Sequence, residues 1–127
     1  MAYALSEHSL KRLQGVHPDL VAVVRLAITL TAQDFRVIEG LRTRERQRYL
    51  VEKGASKTMN SRHLTGHAVD LAPIVDGQVS WDWHHFYPIA EAMKQAAKIK
   101  GVPVEWGGDW AKFRDGPHWQ LPRGKYP

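Results

Sequence analysis

The chain has 127 residues, 43% of them hydrophobic and 24% charged, which is the size and balance of one folded unit and excludes a disordered tail. It contains no cysteine, which excludes a disulfide framework and any thiolate metal site. The net charge of +5 favours polyanions in general, from nucleic acid to acidic envelope polymers, and chooses none of them.

The first residues carry no basic start leading into a long apolar run, so they do not read as a secretory signal. Ser6 is placed to cap a short helix over 7–14, ended by Gly15. Pro18 and Asp19 open a longer helix in which Leu20, Val23, Val24, Ala27 and Ile28 share one face. That apolar run is too short and too interrupted to span a bilayer. Phe35–Glu39 alternates as a strand and stops at Gly40, and Thr43 caps a helix over 44–53 that ends at Gly54.

Residues 55–66 are polar and turn-rich and predict a loop. A strand follows over 68–74. Asp76-Gly77 signals a hairpin, with 78–81 returning. The segment 84–100 is helical in its later part, with Pro88 in its first turn and Gly101 at its end. A strand over 102–106, a glycine-rich turn, a last short strand near 118–121 and a frayed basic tail complete the chain. The predicted fold is α+β, a small and mainly antiparallel sheet with packed helices, as a single domain over 1–127.

The chemistry concentrates in Ser61-Arg62-His63-Leu64-Thr65-Gly66-His67-Ala68-Val69-Asp70 and in Asp115-Gly116-Pro117-His118. His63 and His67 have the four-residue spacing of a zincin helix, but the glutamate of that pattern is missing and Gly66 interrupts it. Gly66 points to a turn with positive φ, which pairs His63 with Asp70 instead. A carboxylate on an otherwise apolar strand is costly unless it is paired or bound to a cation. His118 offers a third ligand. Asp115, across a Gly-Pro turn, is placed to serve as general base and then general acid. Three protein ligands with an open fourth position are the parts of a catalytic zinc site. Singly, each residue reads better as a surface histidine, a salt-bridged acid or a turn; together, at these spacings, they read as a site.

The set Ser61-x-His63-x-x-Gly66-x-Ala68-x-Asp70, followed by Asp115-x-x-His118, resembles the LAS-type zinc peptidases. These include D-Ala-D-Ala carboxypeptidases and dipeptidases and the L-alanyl-D-glutamate peptidases of phage endolysins. Gly40-Leu41-Arg42-Thr43…Gln47 is similar to the family's G-Y-R-S…Q segment, with Leu41 and Thr43 as departures. Glu105-Trp106-Gly107-Gly108-Asp109-Trp110…Phe113 resembles the W-G-G-D-W…F block of the endopeptidase branch. The resemblance implies a LAS/Hedgehog-type fold, zinc on His63, Asp70 and His118, and Asp115 as catalytic acid/base, where many relatives carry glutamate. It implies that Arg42 polarises the scissile carbonyl or holds a substrate carboxylate, and that Ser61 contacts substrate or orients a ligand. A salt bridge and a loop hydrogen bond are the plainer alternatives for these two. Gln47 is expected to buttress the site, His67 to lie behind the ligands or be exposed, and Trp110 and Trp119 to wall a cleft if they are not core. Glu105 and Asp109 are weaker acid candidates, with Asp109 capping the turn at Gly107-Gly108. No calcium loop is expected, since the short 110–117 segment holds one acid.

The function so implied is that of a phage endolysin, a zinc endopeptidase cutting the L-Ala–D-Glu bond of the peptidoglycan stem peptide and causing host lysis. It is expected to be monomeric, to have no separate cell-wall-binding domain, to bind no nucleic acid, to insert in no membrane, and to be held in the host cytoplasm until a membrane pore releases it. The nearest alternative is a D-Ala-D-Ala carboxypeptidase with the same chemistry. The alternatives of other classes are a basic nucleic-acid-binding module and a zinc-binding domain without hydrolysis.

Overall fold

The computed structural model describes residues 2–56, 58–112 and 114–127; Phe113, the last residue of the tryptophan–glycine block, lies outside them. Among the described residues there are four α-helices, α1 (Glu7–Arg12), α2 (Pro18–Leu30), α3 (Arg44–Glu52) and α4 (Phe86–Lys100). The same residues form five strands, β1 (Phe35–Glu39), β2 (Ala68–Val75), β3 (Gln78–Val79), β4 (Glu105–Trp106) and β5 (His118–Gln120). The sheet runs β1-β2-β5-β4 with β3 paired to β2, and every pairing is antiparallel. The expected α+β class with a small antiparallel sheet is therefore what forms.

Local chemistry fixes most helix ends. Ser6 Oγ accepts from Ser9 N, and Thr43 Oγ1 accepts from Arg46 N. His17 caps α2 through Nδ1, which accepts from Asp19 N. Helix α1 is shorter than expected, closing at Leu13. Asp76 and Gly77 both take positive φ, 53° and 79°, the backbone of a tight hairpin turn.

The two strands flanking the functional loops are shorter than expected. Trp81 leaves the hairpin, because β3 ends at Val79. Of the predicted 102–106 strand only Glu105–Trp106 pairs, opposite Gln120 and Trp119. Pro103 has no N–H to give a ladder, and Pro117 and Pro122 limit β5 to three residues. The C-terminal tail is not frayed. Arg62 Nη2 donates to the carbonyls of Leu121 and Tyr126, and Tyr126 Oη donates to Asp19 Oδ2 at 2.7 Å.

Strand alternation separates the sheet's two faces. Phe35, Val37, Val69, Leu71, Trp106 and Trp119 point one way and join the buried cluster with α2 and α4. Trp106 stacks on Trp119 with centroids 5.7 Å apart. Trp119 is therefore core and walls no cleft. The opposite face carries Asp70, His118, Gln120 and Glu105, and it is here that the polar chemistry collects.

Candidate metal centre and cleft

Register builds the site. Asp70 on β2 lies directly across from His118 on β5 and, on its other side, from Glu39 on β1. Directly opposed residues present their side chains to the same face. An irregularity between Val37 and Glu39 turns Glu39 onto that face, two residues on β1 matching one on β2.

The third group arrives on a 3-10 turn, Arg62–Thr65, capped by Ser61 Oγ accepting from His63 N at 3.2 Å. Gly66 closes the turn with φ of 75°, as its place in the sequence predicts. The turn puts His63 over the sheet and sends His67 away from it. His67 packs against His17 and Tyr126 instead. Burial, and then the charges of Arg62, His17 and Arg123, push its pKa down.

His63 Nε2 and His118 Nδ1 lie 3.2 and 3.3 Å from the same atom, Asp70 Oδ1. Their outer nitrogens are committed elsewhere. His63 Nδ1 is 2.9 Å from the Gly40 carbonyl, which can only accept, so Nδ1 carries the proton. His118 Nε2 is 2.8 Å from Gln120 Oε1, and Gln120 Nε2 donates to Glu105 Oε1 at 3.1 Å. Glu105 can only accept, which turns the Gln120 oxygen toward His118. Neutral histidines so held aim two bare nitrogens at a carboxylate oxygen, and three acceptors at one point demand a cation. The separations also match the roughly 3.3 Å edge of a tetrahedron whose metal–ligand bonds are about 2.0–2.1 Å. The residues present thus fit zinc.

Without an ion, hydrogen bonds from the two rings take that cation's place: burial pushes the Asp70 carboxyl upward, but hydrogen bonds to His118 and His63 outweigh it and hold the group far below the carboxylate range. Burial pushes His118 down, while Asp70 raises it, with a net upward shift. Asp115 is held above the ordinary carboxylate value, first by burial and then by the negative charge of Asp70. Its loop is fixed by its backbone: Asp115 N donates to Gly107 O at 3.0 Å, and His118 N donates to Asp115 O at 3.2 Å. Gly107 is required there, because a Cβ would sit 2.4 Å from Asp115 O.

These groups line a cleft of about 730 Å³, with Arg42, Ser61, Trp110 and Asp115 in its wall beside His63, Asp70 and His118. Trp110 lies 5.2 Å from the His118 ring, a cleft position, as its sequence neighbourhood suggested. Arg42 is braced on three sides. Its Nε donates to Glu39 Oε1 at 2.9 Å, its Nη1 to Gln47 Oε1 at 2.8 Å, and its Nη2 lies 3.7 Å from Asp70 Oδ2. Gln47 is fully buried and also donates to Ser56 Oγ, the buttress expected of it. Asp109 pairs with Lys94 at 2.8 Å and stands apart from the cleft. Glu105 reaches the site only through Gln120. Sequence reasoning missed Glu39, Gln120 and Arg114. None has a local signal, since each acts through a partner set by strand pairing or loop packing.

Comparison with known proteins gives the same reading. The family model for phage L-alanyl-D-glutamate peptidases matches residues 1–121. The chain is 33% identical over 130 aligned positions to the L-alanyl-D-glutamate peptidase of Escherichia phage T5, spanning 99% of this chain and 94% of that protein. It is 30% identical over 101 positions to the peptidoglycan L-alanyl-D-glutamate endopeptidase CwlK of Bacillus subtilis, spanning 69% of this chain and 60% of that one. The crystal structure of the Serratia marcescens L-Ala D-Glu endopeptidase ChiX superposes with a TM-score of 0.93 at 48% identity, covering 99% of this chain and 95% of ChiX. The chain belongs to the phage L-alanyl-D-glutamate peptidase family and is a peptidase.

Proposed function

We propose that this chain is a zinc-dependent endolysin that hydrolyses the L-Ala–D-Glu bond of peptidoglycan stem peptides, on a LAS/Hedgehog-type fold with residues 1–127 as one catalytic unit. The observation that carries the reading is the convergence of His63 Nε2 and His118 Nδ1 on Asp70 Oδ1 beside a cleft that also holds Asp115. Bound to those three ligands, zinc would supply a Lewis acid that polarises the scissile carbonyl and acidifies a water.

Asp115 takes the proton of the attacking water and returns it to the leaving D-Glu nitrogen. Its raised pKa suits a group that must both accept and give a proton. Arg42 braces Asp70 and keeps N–H groups facing the cleft for the developing negative charge. Ser61 orients His63 by capping its turn and retains a hydroxyl proton to offer the substrate. The enzyme acts as a monomer on the wall, after release through a membrane pore; no helix among the described residues is long and apolar enough to cross a membrane itself.

The bond is settled by digesting purified sacculi and analysing the products by mass spectrometry. The expected products are glycan strands whose lactyl side groups end in L-Ala, and peptides with a new D-Glu amino terminus. Release of D-Ala with no D-Glu amino terminus would assign the carboxypeptidase activity instead.

A further inference from the structure

Trp81, Trp83 and Tyr87 are 61, 39 and 50% exposed and lie within seven residues of one another. They form a stripe anchored from beneath by the buried Phe86. Trp81 and Trp83 lie 6.4 and 6.0 Å from its ring, and Trp83 lies 6.4 Å from Tyr87. Apolar side chains held out to solvent side by side mark a binding surface more often than isolated ones do.

The stripe is continuous with the catalytic loop. The Arg114 guanidinium lies 4.3 Å from the centre of the Trp83 ring, while Arg114 also lines the cleft and donates to Gly108 O at 3.0 Å. Gly116 is seated on Phe86, so that a Cβ there would lie 3.3 Å from the ring. Both neighbours of Asp115 in the chain therefore rest on this aromatic surface.

We propose that the stripe is a subsite for the glycan strand, receiving the N-acetylated amino sugar that bears the stem peptide. The proposal rests on the stem-peptide reading above. In that substrate the L-Ala nitrogen is acylated by the lactyl group of the sugar. The sugar therefore lies one residue from the scissile carbonyl, within roughly 10 Å of it, and must meet the protein next to the cleft. A pyranose offers a face of C–H groups ringed by hydroxyl and acetamido groups. An indole offers a flat apolar face with an N–H at its edge. The polar residues between the aromatics suit the rest of the sugar: Asp82 and His84 are exposed, and His85 Nδ1 is 2.9 Å from Ser80 Oγ. An acid set between two tryptophans disfavours a bilayer or a dry interface with a second copy of the chain.

The test compares two substrates, a disaccharide-linked stem peptide and the same stem peptide freed of sugar. In Trp81→Ala the ratio of kcat/KM for the sugar-bearing to the sugar-free substrate is expected to fall about tenfold, mainly through KM. Trp81→Tyr, which keeps a flat ring, should recover most of the ratio. An unchanged ratio, or an equal loss on both substrates, would overturn the subsite. Self-association or binding to phospholipid vesicles that depends on Trp81, with the ratio unchanged, would also overturn it. If the wild-type enzyme cuts neither substrate at L-Ala–D-Glu, the stem-peptide reading fails and takes the subsite with it. If it cuts both and the ratio does not respond to Trp81, only the subsite fails.

Discussion

Gln120 decides which nitrogen of His118 faces Asp70. Its amide oxygen takes the Nε2 proton, and its amide nitrogen is held by Glu105, so Nδ1 is left bare toward the metal position. Gln120→Leu keeps the bulk and removes both hydrogen bonds. It should weaken zinc binding by about 10–100-fold in competition with a chelator. Unchanged affinity would show that the ring is held by packing alone. This role was not legible in the sequence, where Gln120 is one polar residue after a tryptophan. His63, Asp70 and His118 were legible, because an acid on an apolar strand and a glycine-closed turn have local physical consequences. Arg42 was legible as a residue, but its bracing by Glu39 follows from a strand irregularity with no signal of its own.

At the level of elements, the site depends on one turn and one strand pairing. Gly66 takes φ of 75°, and a Cβ there would also stand 2.4 Å from the Gly15 carbonyl oxygen. Gly54 takes a similar φ of 77° but meets nothing within 4 Å. Gly54→Ala should therefore cost only the left-handed strain, about 1 kcal/mol. Gly66→Ala should cost at least about 2 kcal/mol and displace His63. Chemical denaturation of both variants checks this, and equal losses would contradict the packing argument. The helices and β2 were legible from caps and periodicity. The lengths of β3 and β4 were not, because a strand ends where its partner ends, and β5 is confined between two prolines. The docked tail was also missed, since Arg62 and Tyr126 meet only after the chain has folded.

Across the whole molecule, the two faces of the sheet divide the work. One face carries the tryptophans and valines that pack against α2 and α4, and the other carries Asp70, His118, Gln120 and Glu105 of the candidate site. The buried apolar layer behind Asp70 and His118 supports the backbone that positions them. The cleft wall sets Arg42, Arg46, Arg62, Arg114 and Arg123 against Glu39, Asp70 and Asp115, an excess of cations that suits a substrate rich in carboxylates. On the proposed function, His63, Asp70 and His118 hold zinc while Asp115 only moves protons. This division of labour is tested by measuring zinc content and stem-peptide hydrolysis on the same purified samples. The expected result is one zinc per chain in the wild type, full zinc with a hundred- to ten-thousand-fold loss of rate in Asp115→Ala, roughly the range for a lost acid–base group, and loss of both in His63→Ala and His118→Ala. Hydrolysis that persists at the wild-type rate in zinc-stripped protein, or in Asp115→Ala, would contradict it.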